Sequence, residues 1–245
     1  MALSQYDKAI ADYSKVIELE PKDSVGWTSR GYAYTGLGQY DKAVADFSKV
    51  IELDQKNASA WYLRALLCLK LDDQKAYRQM CWAMLDTLRG APPETVRLVA
   101  WACSLGPDNG VEPGRLVELA EKLASQNPKS RSDQTIFGAA LYRAGRFEEA
   151  ERRLSQAAAL PADPFQPVEY TWFFLAMAHQ RLGHAKEARA WLEKTQKQME
   201  QKSSADVPWN RRLTLQLLNR EAEALLGIKE KKGSGDSSQQ TQKKQ

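Results

Sequence analysis

Residues 5–22 and 39–56 are nearly one sequence written twice: QYDKAIADYSKVIELEPK and QYDKAVADFSKVIELDQK agree at 14 of 18 positions, offset by 34 residues. Self-similarity at such a period marks a stacked repeat. Each copy is a supersecondary unit that cannot bury its own apolar face, so neighbours must cover it. This constrains the fold before any composition is considered. It also moves the functional question from a catalytic pocket to the surfaces that stacking creates.

The period divides into two helices. In residues 24–57, Trp27, Gly31 and Tyr34 share one face, and Gly38 supplies a helix stop. Tyr40, Ala43, Phe47 and Val50 form the apolar face of the second helix. Gly31 and Ala43 are small where the two backbones approach, whereas Trp27, Tyr34 and Phe47 are large where the gap opens. The pattern returns at 137–154, with Gly138, Gly145, Phe147, Ala150 and Leu154, and at 172–192, with Trp172, Ala176, Gly183, Ala188 and Leu192. Poorer copies lie between. The one near 58 keeps Trp61 and Ala65 but places Tyr77 and Cys81 in its second helix. The one near 93 has an apolar first helix around Trp101 and a long loop at 106–114.

Repeats are therefore expected near 24–57, 58–92, 93–130, 131–168 and 169–202, with edge insertions near 106–114 and 161–168. Residues 1–22 read as a half-repeat lacking its first helix, which suggests the C-terminal part of a longer array. Residues 208–227, with Trp209, Leu213, Leu217, Leu218 and Leu225, read as an amphipathic helix capping the array. The array thus spans 1–227. Residues 228–245 offer no apolar content to bury and are expected to be disordered.

The series Trp27-x-x-Arg30-Gly31-x-x-Tyr34, Gly38, Tyr40, Ala43 and Phe47 resembles the tetratricopeptide repeat (TPR). Arg30 departs from it, standing where that family usually has a large aliphatic residue. The resemblance implies an all-α, right-handed superhelix of about five hairpins, with the first helix of each lining a concave groove. The inward positions then include Tyr32, Tyr62, Leu66, Trp101, Tyr142, Tyr170, Phe173 and Met177. The family's peptide grooves that clamp a C-terminal carboxylate use Lys, Asn and Arg at such positions. Those residues are absent here, so chaperone-tail binding is not expected. The aromatic and apolar lining fits a peptide or protein partner with apolar anchors. The plain alternative is that the array's own curvature partly fills the groove. Residues 58–227 also resemble a bacterial family of TPR blocks that often follows a serine/threonine kinase domain. That likeness implies a regulatory or substrate-docking module of such an enzyme. No kinase motif occurs in this chain.

Charge and composition narrow the remaining classes. The net charge is +4, of which residues 229–245 supply +3 through five lysines against Glu230 and Asp236. The array is nearly neutral, without the clustered basic face that nucleic acid requires. No apolar run approaches the ~20 residues of a membrane span. Cys68, Cys81 and Cys103 lie on apolar stripes with no Cys-x-x-Cys pair, as expected of buried thiols in a reducing, cytoplasmic setting. His179 and His184 stand five apart, a poor spacing for a metal on one helical face. The expectation is a non-catalytic interaction scaffold with no cofactor or metal, no nucleic acid and no membrane.

Overall fold

A computed structural model describes residues 2–163, 166–201 and 207–228. The tail expectation for 229–245 lies outside these residues. Among the described residues there are twelve helices and no strand. A lone helix α1 (Ala2–Leu19) leads. Five hairpins follow: α2 (Ser24–Gly36) with α3 (Tyr40–Leu53), α4 (Ala58–Lys70) with α5 (Gln74–Thr87), α6 (Pro93–Leu105) with α7 (Pro113–Gln126), α8 (Arg131–Arg143) with α9 (Phe147–Ala159), and α10 (Val168–Arg181) with α11 (Ala185–Glu200). Helix α12 (Trp209–Leu225) ends the described chain.

The helix boundaries follow from local chemistry. Asp23, Asn57, Asp73 and Ser130 accept amide hydrogens in the first turns of α2, α4, α5 and α8. Pro93 and Pro113 open α6 and α7, where the missing N–H costs nothing. The turn inside a hairpin requires a left-handed residue. Gly38 takes it at φ 71°, and the amide after it bonds back to the Tyr34 carbonyl at 2.9 Å. Asp72 fills the corresponding place in the next hairpin at φ 55°, a conformation that Asp tolerates better than most residues.

The repeat's signature tryptophan has a recurring task. The Trp27 indole donates to the Pro21 carbonyl at 3.0 Å, and Trp61 donates to the Gln55 carbonyl at 2.9 Å. Each ties the start of a hairpin to the turn before it. Arg30, the departure from the family pattern, is also accounted for. Its guanidinium grips buried Asp46 with two bonds of 2.9 and 2.8 Å, donates to Ser14, and lies over the Trp27 ring at 5.0 Å. One hairpin later Arg64 meets Met80 instead.

The two insertions are built into the array. In the first, Asn109 donates to the Cys103 carbonyl at 2.8 Å, and Asp108 pairs with Arg78 of α5. In the second, Asp163 accepts the Ser132 amide at 3.1 Å, at the start of α8.

Successive hairpins pack second helix on first: α3 on α4, α5 on α6, α7 on α8 and α9 on α10. The first helices α4, α6, α8 and α10 also pack side by side into one wall. The capping expectation for the last helix needs correction, because α12 folds back against α10, α4 and α6 and lies along that wall. Gln196 of α11 holds the return, donating to Asn219 at 2.9 Å and Glu223 at 2.8 Å. There Leu213, Leu218 and Ala222 join the wall's core cluster, which takes their apolar surface out of water.

Candidate functional site: a concave wall held by its own helix

Each residue expected to line the groove belongs to a first helix. Tyr32 is on α2, Tyr62 and Leu66 on α4, Trp101 on α6, Tyr142 on α8, and Tyr170, Phe173 and Met177 on α10. Their exposure divides them. Tyr32 is 41 % exposed, while the other seven are buried in one continuous core. An open groove along the whole array is therefore not what the structure presents.

Aromatic packing knits the wall together. Trp101 stacks on Tyr170 with ring centres 5.0 Å apart, and Phe174 meets both Trp101 and Tyr142 edge-on. Tyr142 also reaches Phe147 of α9 at 5.5 Å. Such pairs add ~0.5–1.5 kcal/mol beyond their area. Burial pushes the hydroxyls of Tyr62, Tyr142 and Tyr170 above the usual tyrosine pKa, so these groups serve as neutral hydrogen-bonding handles.

Helix α12 meets those handles. The Tyr62 hydroxyl lies 3.4 Å from the hydroxyl of buried Thr214. Trp209 reaches Tyr32 edge-on at 6.2 Å. The strongest polar contact comes from Arg143, at the end of α8, whose side chain is 5 % exposed. It donates to the Ser104 and Leu105 carbonyls at 2.8 and 2.9 Å, at the end of α6. It also grips Glu221 of α12 through its two terminal nitrogens, Nη1 and Nη2, the second at 2.7 Å. Burial alone would lower the Arg143 pKa, but the facing carboxylate outweighs it and holds the group above its usual value. Arg220 adds an exposed pair to Asp72 at 2.9 Å. Sequence reasoning missed Arg143, Glu221 and Thr214. Their only prior signal was an arginine and a glutamate on helices with no local relation.

The wall is open at one end. Beside the start of α12, a cleft of about 940 Å3 lies between α1 and α2, lined by Tyr6, Tyr13, Tyr32, Tyr40 and Trp209 among others.

The thiols and imidazoles of the described residues lie apart from this wall's polar contacts or are buried. The three thiols are unpaired and buried, and burial raises Cys68 to about 11, away from the nucleophilic thiolate. The Nδ1 atoms of His179 and His184 approach to 3.4 Å, and burial lowers the His179 pKa. Among the described residues no group of three His, Cys, Asp or Glu could hold a metal ion. Nor is any described helix long and apolar enough to cross a membrane.

Stacked helical hairpins with an aromatic wall along their first helices define an all-α solenoid. Residues 12–45 and 137–203 match models described as tetratricopeptide repeat, and residues 31–72 match one described as TPR repeat. The chain belongs to the tetratricopeptide-repeat proteins. Such proteins are generally non-catalytic scaffolds for protein interaction. Among similar solved structures is a tetratricopeptide repeat protein from Parabacteroides merdae, with 14 % identity over 88 % of this chain and 78 % of that one and a TM-score of 0.57. PilW, a type IV pilus biogenesis factor, shares 15 % over 82 % and 89 % with a TM-score of 0.52. The Cut9–Hcn1 hetero-tetramer of the APC/C shares 16 % over 90 % of this chain and 41 % of that one, at 0.54. At these identities the likeness concerns the fold. No curated protein sequence matches the chain.

Proposed function

We propose that this protein is a non-catalytic scaffold that binds a protein or peptide partner on its concave side, entered through the cleft between α1, α2 and the start of α12. The carrying observation is that cleft. It places Tyr6, half-exposed Tyr13 and Tyr32, Tyr40 and Trp209 around one opening, in a chain whose other groove aromatics are buried. Aromatic side chains give large contact area at low entropic cost and dominate interface hot spots. A preformed solenoid also spends little on ordering itself when it binds. Cut9 assembles with Hcn1 in a hetero-tetramer, and this chain is similar to it in fold. Three unpaired thiols suit a reducing, cytoplasmic setting.

The test is affinity capture with the intact chain and with Tyr13→Ser/Tyr32→Ser. The variant is expected to keep its helical content and melting point and to lose the captured partner. An unchanged set of captured proteins would refute the cleft assignment. The alternative is a regulatory or substrate-docking part of a larger serine/threonine kinase. It rests on the sequence resemblance of residues 58–227 and would seat a segment of that enzyme in the same cleft. In-frame coding sequence upstream of Met1 decides between the two.

A further inference from the structure

We propose that the wall formed by α4, α6 and α10 is a docking site for an amphipathic helix of a partner protein that presents a carboxylate at its seam, and that α12 is the internal occupant this helix displaces. The inference rests on the scaffold reading and concerns a surface beyond the open cleft.

Arg143 carries the specificity. Its guanidinium is buried at the floor, held by the two carbonyls at the end of α6 and centred 5.3 Å over the Phe174 ring. A buried charge without a counter-charge is strongly unfavourable. Glu221 supplies the counter-charge from α12, through a two-pronged contact that fixes both position and direction of the helix. Any helix that replaces α12 must therefore bring a carboxylate to the same place. The rest of the code is apolar. Leu213, Leu218 and Ala222 are buried, and Trp209 and Leu225 are half-buried on the same side. Thr214 answers the Tyr62 hydroxyl and Arg220 answers Asp72.

The helices of the array also contact one another without α12 between them. The first helices α4, α6, α8 and α10 pack on one another directly, and every hairpin closes with its own second helix. The aromatic cleft at the start of α12 is continuous with the wall through the Trp209–Tyr32 contact, so an incoming helix gains a foothold before α12 leaves. A site competent only when α12 is undocked binds in trans with its affinity reduced by the undocked fraction.

The probe is a fluorescein-labelled synthetic peptide of residues 207–228, titrated into the full chain and followed by anisotropy. The wild-type chain is expected to bind it weakly. The Glu221→Gln chain keeps the fold but loosens its own α12. It should bind the wild-type peptide about tenfold more tightly, the equivalent of ~1.4 kcal/mol. The peptide carrying the same Glu221→Gln change should lose about tenfold on that chain. Arg220→Glu, at an exposed pair, is the second variant should Glu221→Gln unfold, and should raise affinity about threefold. Equal affinities of the wild-type and loosened chains, or of the two peptides, would overturn the proposal. So would a Glu221→Gln chain that is dimeric by light scattering without peptide, because a second copy would then be the occupant. Each comparison is made with Tyr13 and Tyr32 intact and reads the effect of Glu221 or Arg220 alone. Failure here is therefore separable from failure of the capture experiment.

Discussion

The Tyr77 hydroxyl of α5 stands between the Ala102 carbonyl and the Gly106 amide, donating to the first at 2.8 Å and accepting from the second at 2.8 Å. In a continuing helix those two backbone groups would bond each other. The phenol instead ends α6 and lets the chain turn into the 106–114 loop. Replacing the small crossing residue of this hairpin with tyrosine is thus a construction of the third repeat. Tyr77→Phe leaves a buried carbonyl and a buried amide unpaired. The expected cost is about 2 kcal/mol. For a chain of this size that lowers the thermal midpoint by about 4–8 °C. Differential scanning calorimetry checks it, and an unchanged midpoint would remove the hydroxyl from this role.

Close approach in the fourth hairpin gives a second expectation. A Cβ added at Gly138 would lie 2.5 Å from Leu154 Cγ, and Leu154 is completely buried. Gly138→Ala should therefore overpack the crossing and cost about 1–3 kcal/mol, despite the gain in helix propensity. Adding Leu154→Ala makes room for the new methyl. The double variant should be more stable than the sum of the two single effects, as read from urea midpoints.

The pair Arg30–Asp46 predicts a third outcome. Asp46 is nearly fully buried and Arg30 is mostly so. Asp46→Ala leaves a guanidinium without its carboxylate and should cost about 3 kcal/mol. Arg30→Met/Asp46→Leu removes both charges and should recover most of that loss. A double variant as unstable as Asp46→Ala alone would contradict this account of Arg30.

Alkaline pH gives a fourth. Burial raises Cys68 from 9.0 to about 11 and pushes Tyr77 well above its usual value, while the contact with Cys81, together with burial, does the same for Cys103. These groups bind their protons more tightly folded than unfolded, so their contribution is complete below the unfolded pKa and is lost as pH rises through the folded one. Stability should hold up to about pH 9 and decline from there to about pH 11. Native thiols should resist alkylation at pH 8 and react fully once unfolded. Rapid labelling of native protein would contradict the burial of all three.

The sequence made the fold legible because repeats write their packing locally. The 34-residue offset, the caps at Asp23, Asn57 and Ser130, and the left-handed turn at Gly38 each lie within a few residues of what they determine. Arg30 was half-legible, since its partner Asp46 sits 16 residues on, and the next hairpin keeps that spacing but places Met80, not a carboxylate, opposite Arg64. The candidate site was legible as a row of aromatics and not as a filled one. Tyr62 meets Thr214 across 152 positions, Arg143 meets Glu221 across 78, and no periodicity links them. An amphipathic helix announces that it needs a surface but not which surface. On the wall the helix buries Leu213, Leu218 and Ala222 and answers the Arg143 guanidinium with Glu221.

The seat of α12 is the central claim, and hydrogen exchange of residues 209–225 in the intact chain tests it most directly. Helix α12 docked on the wall predicts amides protected far beyond those of an isolated peptide, yet released before α8 and α10, with Glu221→Gln lowering protection in α12 alone. Exchange of α12 amides at the rate of the free peptide would show a helix that does not occupy the groove, and would contradict the account.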